Sequence, residues 1–149
     1  MLLGMEKMDI DACRKLEQKL TMPAAVFASG EYTADIMAGI LLNLSALITS
    51  RYHAAVLSMQ HGCPIAAVSM DERLDSLMKE IDLDETYLFH VWDETLGEEL
   101  TEAVAGGCGR RDEIREQLNH KVQEYKKEQL KMGEFLKRYI KDKLEGIER

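Results

Sequence analysis

Five consecutive residues, Thr49-Ser50-Arg51-Tyr52-His53, combine two aliphatic hydroxyls, a phenol, a guanidinium and an imidazole at the end of the short apolar run Ala46-Leu47-Ile48-Thr49. A guanidinium grips a carboxylate or phosphate through two parallel N–H groups. An imidazole exchanges a proton near neutral pH. If Ser50 opens a helix at the end of a strand, the unpaired N–H groups of the first helical turn add a positive dipole end, and the site suits an anion. Ser69-Met70-Asp71-Glu72-Arg73 is a second group of the same kind, also placed between an apolar run and a polar helical segment. There Asp71 and Arg73 are the residues able to touch a substrate, although an Asp at that place is also an ordinary helix cap. Glu6 and Asp9 form a third, acidic pair.

Other chemistries are poorly supported. No G-x-G-x-x-G or Walker sequence is present. His61, His90 and His120 share no metal-ligand spacing with each other or with Cys13, Cys63 and Cys108, so neither a metal nor a bound cofactor is expected. Three cysteines at wide spacings give no disulfide framework and suit the reducing cytoplasm.

The elements that must position these groups follow from apolar periodicity. Asp9 to Leu20 carries Ile10, Cys13, Leu16 and Leu20 at helical spacing and ends before Pro23. Ala24–Ala28, Ala46–Thr49 and Ile65–Ser69 have strand length, and a short strand is expected at Thr86–Phe89. Helices capped by Thr33, Ser50 and Asp71 separate them, and Thr95–Ala105 is a further helix that Gly106-Gly107-Cys108-Gly109 should break. Such alternation predicts an α/β fold: a Rossmann-like parallel sheet of three to four short strands with helices on both faces. Met1-Leu2-Leu3-Gly4 reads as the final stub of a first strand.

The 149 residues divide into a domain over 1–109 and a helical extension over 110–149. The first part holds 7 Lys/Arg against 18 Asp/Glu, the second 12 against 9. An acidic body excludes nucleic acid as the natural partner. No apolar run is long enough for a membrane span. Ile114, Leu118, Val122, Tyr125, Met132, Leu136, Ile140 and Leu144 keep a helical stripe, kinked near Gly133, over a length that a small sheet hardly covers. An exposed remainder is therefore expected to meet another domain or another copy of the chain.

The stretch Thr49–Leu83 resembles the C-terminal domain of the polysaccharide pyruvyl transferase family. The resemblance rests on Arg51-Tyr52-His53-Ala54, then Gly62-Cys63-Pro64 opening a strand, then Asp71-Glu72-Arg73 entering a helix. Tyr52 stands where Leu is often found, Met70 where Tyr is common and Ser45 where an Asp often begins the strand. The resemblance implies one half of a two-domain, glycosyltransferase-like fold that moves the pyruvyl group of phosphoenolpyruvate onto a sugar as a ketal. The acceptor would be a saccharide, free or lipid-linked, of a cell-wall or exopolysaccharide pathway. Phosphoenolpyruvate is then the donor substrate, Ser50, Arg51, Tyr52, Asp71 and Arg73 bind substrate, and His53 is catalytic. A chain without the N-terminal domain is expected to be inactive alone. Two readings stand beside it: the nucleotide-sugar half of a two-domain glycosyltransferase or epimerase, and a non-catalytic remnant acting as an interaction module.

Overall fold

A computed structural model describes residues 1–145, the side chains of Cys108 and Glu145 excepted. In chain order the elements are β1 (Leu2–Gly4), α1 (Asp9–Glu17), β2 (Val26–Ala28), α2 (Ala34–Leu42), β3 (Leu47–Thr49) and α3 (Tyr52–Met59). There follow β4 (Ile65–Ser69), α4 (Glu72–Glu80), α5 (Asp84–Tyr87), β5 (Leu88–His90), α6 (Leu96–Gly109) and α7 (Arg111–Glu145). The α/β alternation is as the sequence leads one to expect, and every strand pair is parallel.

The strands nevertheless form two sheets and not one. β1 pairs with β2, with Leu2 opposite Val26 and Gly4 opposite Ala28; β3, β4 and β5 pair in that order. The larger core lies where Ile65 and Ala67 of β4 meet Leu74, Leu77 and Met78 of α4, Ala55 and Met59 of α3, and Ile114, Leu118 and Val122 of α7. A smaller cluster joins Leu41, Leu47, Ala54 and Cys63, with Leu3 and Met5 packed against it.

Three local expectations are corrected. Gly106-Gly107-Cys108-Gly109 is helical and belongs to α6. The missing Cβ of Gly107 lets the Tyr87 ring approach to 3.3 Å of where that atom would stand, so the close packing compensates the poor helix propensity of glycine. The strand expected at Thr86–Phe89 begins only at Leu88, because the Tyr87 N–H closes a helical turn on the Leu83 carbonyl at 2.9 Å. The last helix runs unbroken through Gly133, with nothing packed at that glycine.

The first three turns of α7 are anchored in the core, and from Leu130 onward its apolar residues are bare: Leu130, Met132, Phe135, Leu136, Tyr139, Ile140 and Leu144 are all exposed. No helix among the described residues is long and apolar enough to cross a membrane.

Candidate functional site

β3 ends at Thr49, and the chain turns into α3 through a side-chain hydrogen bond. The Arg51 N–H donates to Thr49 Oγ1 at 2.9 Å, and that hydroxyl faces the Arg51 carbonyl at 3.4 Å. Arg51 is the residue that caps α3, which starts at Tyr52; Ser50, expected to open the helix, is an exposed residue of the preceding bend. The same turn recurs one strand over. Ser69 Oγ accepts from the Asp71 N–H at 3.3 Å and donates to the Asp71 carbonyl at 2.9 Å. Asp71 then caps α4 as expected, accepting from the N–H groups of Arg73 and Leu74. Thr49 and Ser69 are both buried, so each hydroxyl is used up in shaping its turn.

Arg51 reaches back across the carboxyl ends of the strands to the segment after β1. Its Nη2 lies 2.6 Å from Asp9 Oδ1 and its Nη1 3.1 Å from Glu6 Oε1. Asp9 also accepts the Glu6 N–H at 3.0 Å, which holds the acidic loop in place. The guanidinium thus lies between two carboxylates while 40% of its side chain stays exposed, and a further anion can approach it from solvent.

Ser50, Arg51 and Asp9 line the rim of a cavity of about 1030 Å³. Its walls come from Leu2 and Leu3 of β1, Leu47 and Ile48 of β3, and Cys13 and Leu16 of α1. A crevice beyond the carboxyl ends of parallel strands, where the strand order reverses, is where α/β folds bind ligands. The turn after β3 stands at the carboxyl end of that strand, on the rim of the cavity between β1 and β3.

The remaining expected site residues lie apart from the cavity lining. Tyr52 is half-buried and packs against the larger core. His53 is exposed on the first turn of α3, edge-on to Tyr52 with ring centroids 5.7 Å apart. Asp71 and Arg73 pair with each other at 2.7 Å on the exposed turn after β4. The Arg73 hydrogen bond holds the Asp71 carboxyl below the usual range, and Asp71 in turn raises Arg73.

One cluster escaped sequence reasoning. His90, at the end of β5, places Nε2 3.6 Å from Asp75 Oδ1 and Nδ1 3.9 Å from Asp93 Oδ2, and its ring stacks on Trp92 at 4.9 Å. Asp93 was visible as a neighbour three residues on; Asp75 comes from α4, and no local spacing reveals it. No group of His, Cys, Asp and Glu among the described residues is arranged to hold a metal ion. Burial pushes the Cys63 thiol up to about 11, which leaves it a packing residue.

No curated protein and no solved structure matches the chain. Residues 5–72 match the model of the polysaccharide pyruvyl transferase family, and this segment, which carries Glu6, Asp9, Arg51, His53 and Gly62-Cys63-Pro64, relates the chain to those transferases.

Proposed function

We propose that the chain is the donor-binding half of a polysaccharide pyruvyl transferase, with phosphoenolpyruvate held at the turn after β3. The observation that carries this reading is the position of Arg51: a half-exposed guanidinium at the carboxyl end of a parallel strand, on the rim of a cavity and inside the family-matched segment. Phosphoenolpyruvate offers a carboxylate and a phosphate, and both suit a guanidinium beside a helix N-terminus. In an acidic body such a local cation is required for any dianionic ligand to settle.

The reaction forms two C–O bonds from sugar hydroxyls to C2 of the donor and breaks the bond from C2 to the phosphate oxygen. Of the two hydroxyl protons, one ends on the methylene carbon, which becomes a methyl group, and the other leaves with the phosphate. His53, two residues beyond Arg51 and exposed, is the group assigned to proton transfer. Ser50 adds a hydroxyl at the rim, and Tyr52 at the start of α3 with Asp71 and Arg73 on the turn after β4 complete the substrate side. Glu6 and Asp9 compete with the donor for Arg51, and of the two Glu6 is the more exposed and the readier to give way. The bare stripe of α7 would pack on the other half of the enzyme, which supplies most acceptor contacts. The setting of this chemistry is the cytoplasm, where phosphoenolpyruvate is available.

Calorimetric titration with phosphoenolpyruvate, and with uridine diphosphate as the competing ligand class, tests the reading. Phosphoenolpyruvate should bind, Arg51→Ala should weaken it about 10-fold or more, and Glu6→Gln should tighten it. With the other half of the enzyme and a sugar acceptor present, His53→Gln should lower kcat by roughly 10²–10⁴-fold and flatten its pH dependence. Binding of uridine diphosphate in place of phosphoenolpyruvate, or an Arg51→Ala variant that binds the donor as well as the parent, refutes it.

A further inference from the structure

We infer that the cavity between β1 and β3 is the slot of a sixth strand, filled by an apolar segment that precedes β1 in the complete polypeptide. The two sheets end on facing edges. β1 uses one edge for β2 and β3 uses one edge for β4, and the other edge of each lines the same cavity. Leu2 donates its N–H to the Ala25 carbonyl and Gly4 accepts from the Ser29 N–H, so both turn their backbone groups toward β2. Backbone groups alternate in direction along a strand, which aims those of Leu3 into the slot. On the far side the Leu47 N–H donates to the Pro64 carbonyl, on the β4 side, and the same alternation aims the backbone groups of Ile48 into the slot.

The two strands run in the same direction. Arg51, just after β3, is paired with Glu6 and Asp9, just after β1, so their carboxyl ends share one side of the cavity. A strand entering between them can therefore be parallel to both. Strand rise, strand spacing and sheet spacing of about 3.3, 4.8 and 10 Å give about 160 Å³ per residue, so 1030 Å³ holds a short strand of about six residues.

The lining fits an apolar occupant. Ile48 is 53% exposed although it lies within the sheet region of an α/β fold, where strands are covered on both faces. Leu16 of α1 is exposed along the same wall. Arg111 lines the cavity as well, and its buried Nε has no hydrogen-bond partner among the described residues; a strand carbonyl is a suitable acceptor.

Strand order identifies the occupant. Inserted there, the new strand X gives β2-β1-X-β3-β4-β5. The doubly wound order is 3-2-1-4-5-6, and it matches if X is strand 1, the one that precedes β1 along the chain. β1 is then a whole second strand, in register with β2 along its full length. Arg51 comes to lie at the switch point between strands 1 and 4. The inference is independent of the donor reading, since a strand can fill the slot whether or not phosphoenolpyruvate binds beside it.

Residue-resolved amide hydrogen exchange and nuclear Overhauser contacts test it, measured on the 149-residue chain and on the polypeptide that includes the sequence encoded ahead of Met1. In the shorter chain the Leu3 and Ile48 amides should exchange about 100-fold faster than that of Ala67. In the longer one both should slow by a similar factor, and both should contact one apolar strand ahead of Met1. The inference is overturned by direct β1–β3 contacts that close the slot, by unchanged exchange, by a second copy of the chain in the slot, or by a gene whose translation starts at Met1.

Discussion

Gly62, the glycine of the Gly-x-Pro turn, should resist replacement for reasons confined to the fold. Its φ of +66° lies in the left-handed region, and a Cβ there would stand 2.6 Å from Arg115 Cγ and 3.2 Å from the Arg115 carbonyl of α7. Left-handed geometry costs an alanine roughly 1–2 kcal/mol; the lower entropy of its unfolded chain returns about 0.4–1 kcal/mol. The Arg115 side chain can swing aside into solvent, but the carbonyl is fixed in a helix, and that crowding adds about 1 kcal/mol. Gly62→Ala should therefore lose about 2 kcal/mol, or roughly 4–8 °C in Tm for a chain of this size. In an Arg115→Ala background the loss should stay at about 2 kcal/mol, since both the left-handed backbone and the contact with the residue 115 carbonyl remain. Gly39, inside α2 with nothing within 4 Å of its would-be Cβ, is the opposite case, and Gly39→Ala should gain about 0.5–1 kcal/mol. Urea unfolding followed by circular dichroism measures the parent and these four variants. A Gly62→Ala variant within 0.5 kcal/mol of the parent would refute the account of why α7 presses on this turn.

Leu118→Ala, at a fully buried site of α7, should cost about 2–5 kcal/mol, while Leu136→Ala, on the bare half of the same helix, should stay within about 0.5 kcal/mol in chemical denaturation. The Cys63 thiol is raised to about 11 by burial, so the folded state resists ionising it. Its contribution to stability is present in full below the unfolded value near 9 and is lost as pH rises from there to about 11; Cys63→Ala should flatten a pH–stability curve over that window. At neutral pH, peptide mapping after brief iodoacetamide treatment should find Cys63 unmodified and the less buried Cys13 modified. A double-mutant cycle on Arg51 and Asp9 should give a coupling of about 1 kcal/mol that falls with added salt; zero coupling at low salt would mean that the pair does not hold the acidic loop.

Where one element decides its own form, the sequence was sufficient. Thr33 and Asp71 cap α2 and α4 from their own side chains, and the apolar runs at Ile65–Ser69 and Leu47–Thr49 are strands. Legibility ends where a distant residue takes part. Ser50 looks like a cap until Thr49 supplies the hydroxyl to the turn, and the run of glycines after Ala105 looks like a break until Tyr87 is seen lying against Gly107. The place of Arg51 at a strand-to-helix turn was legible from residue type and order, but its partners Glu6 and Asp9 stand more than forty positions away and no spacing rule connects them.

That ion-paired arrangement bears on how the site works. A guanidinium left alone at a helix N-terminus would be pushed away by the dipole and free to point elsewhere. Glu6 and Asp9 hold it across the strand ends and lower its net charge; under the donor-binding reading proposed above, an incoming dianion would meet an arginine already in position and would have to displace at least one carboxylate to use the whole fork. Preorganisation and competition then come from the same two residues, divided by exposure. Asp9, more buried and tied to the Glu6 N–H, would position the arginine in that reading, and Glu6, more exposed, would be the one released. The two substitutions should accordingly act in opposite directions on anion binding: Asp9→Asn weakens it by loosening Arg51, and Glu6→Gln strengthens it by removing a competitor. If both change affinity in the same direction, the acidic pair acts as a single charge and the division of roles is wrong.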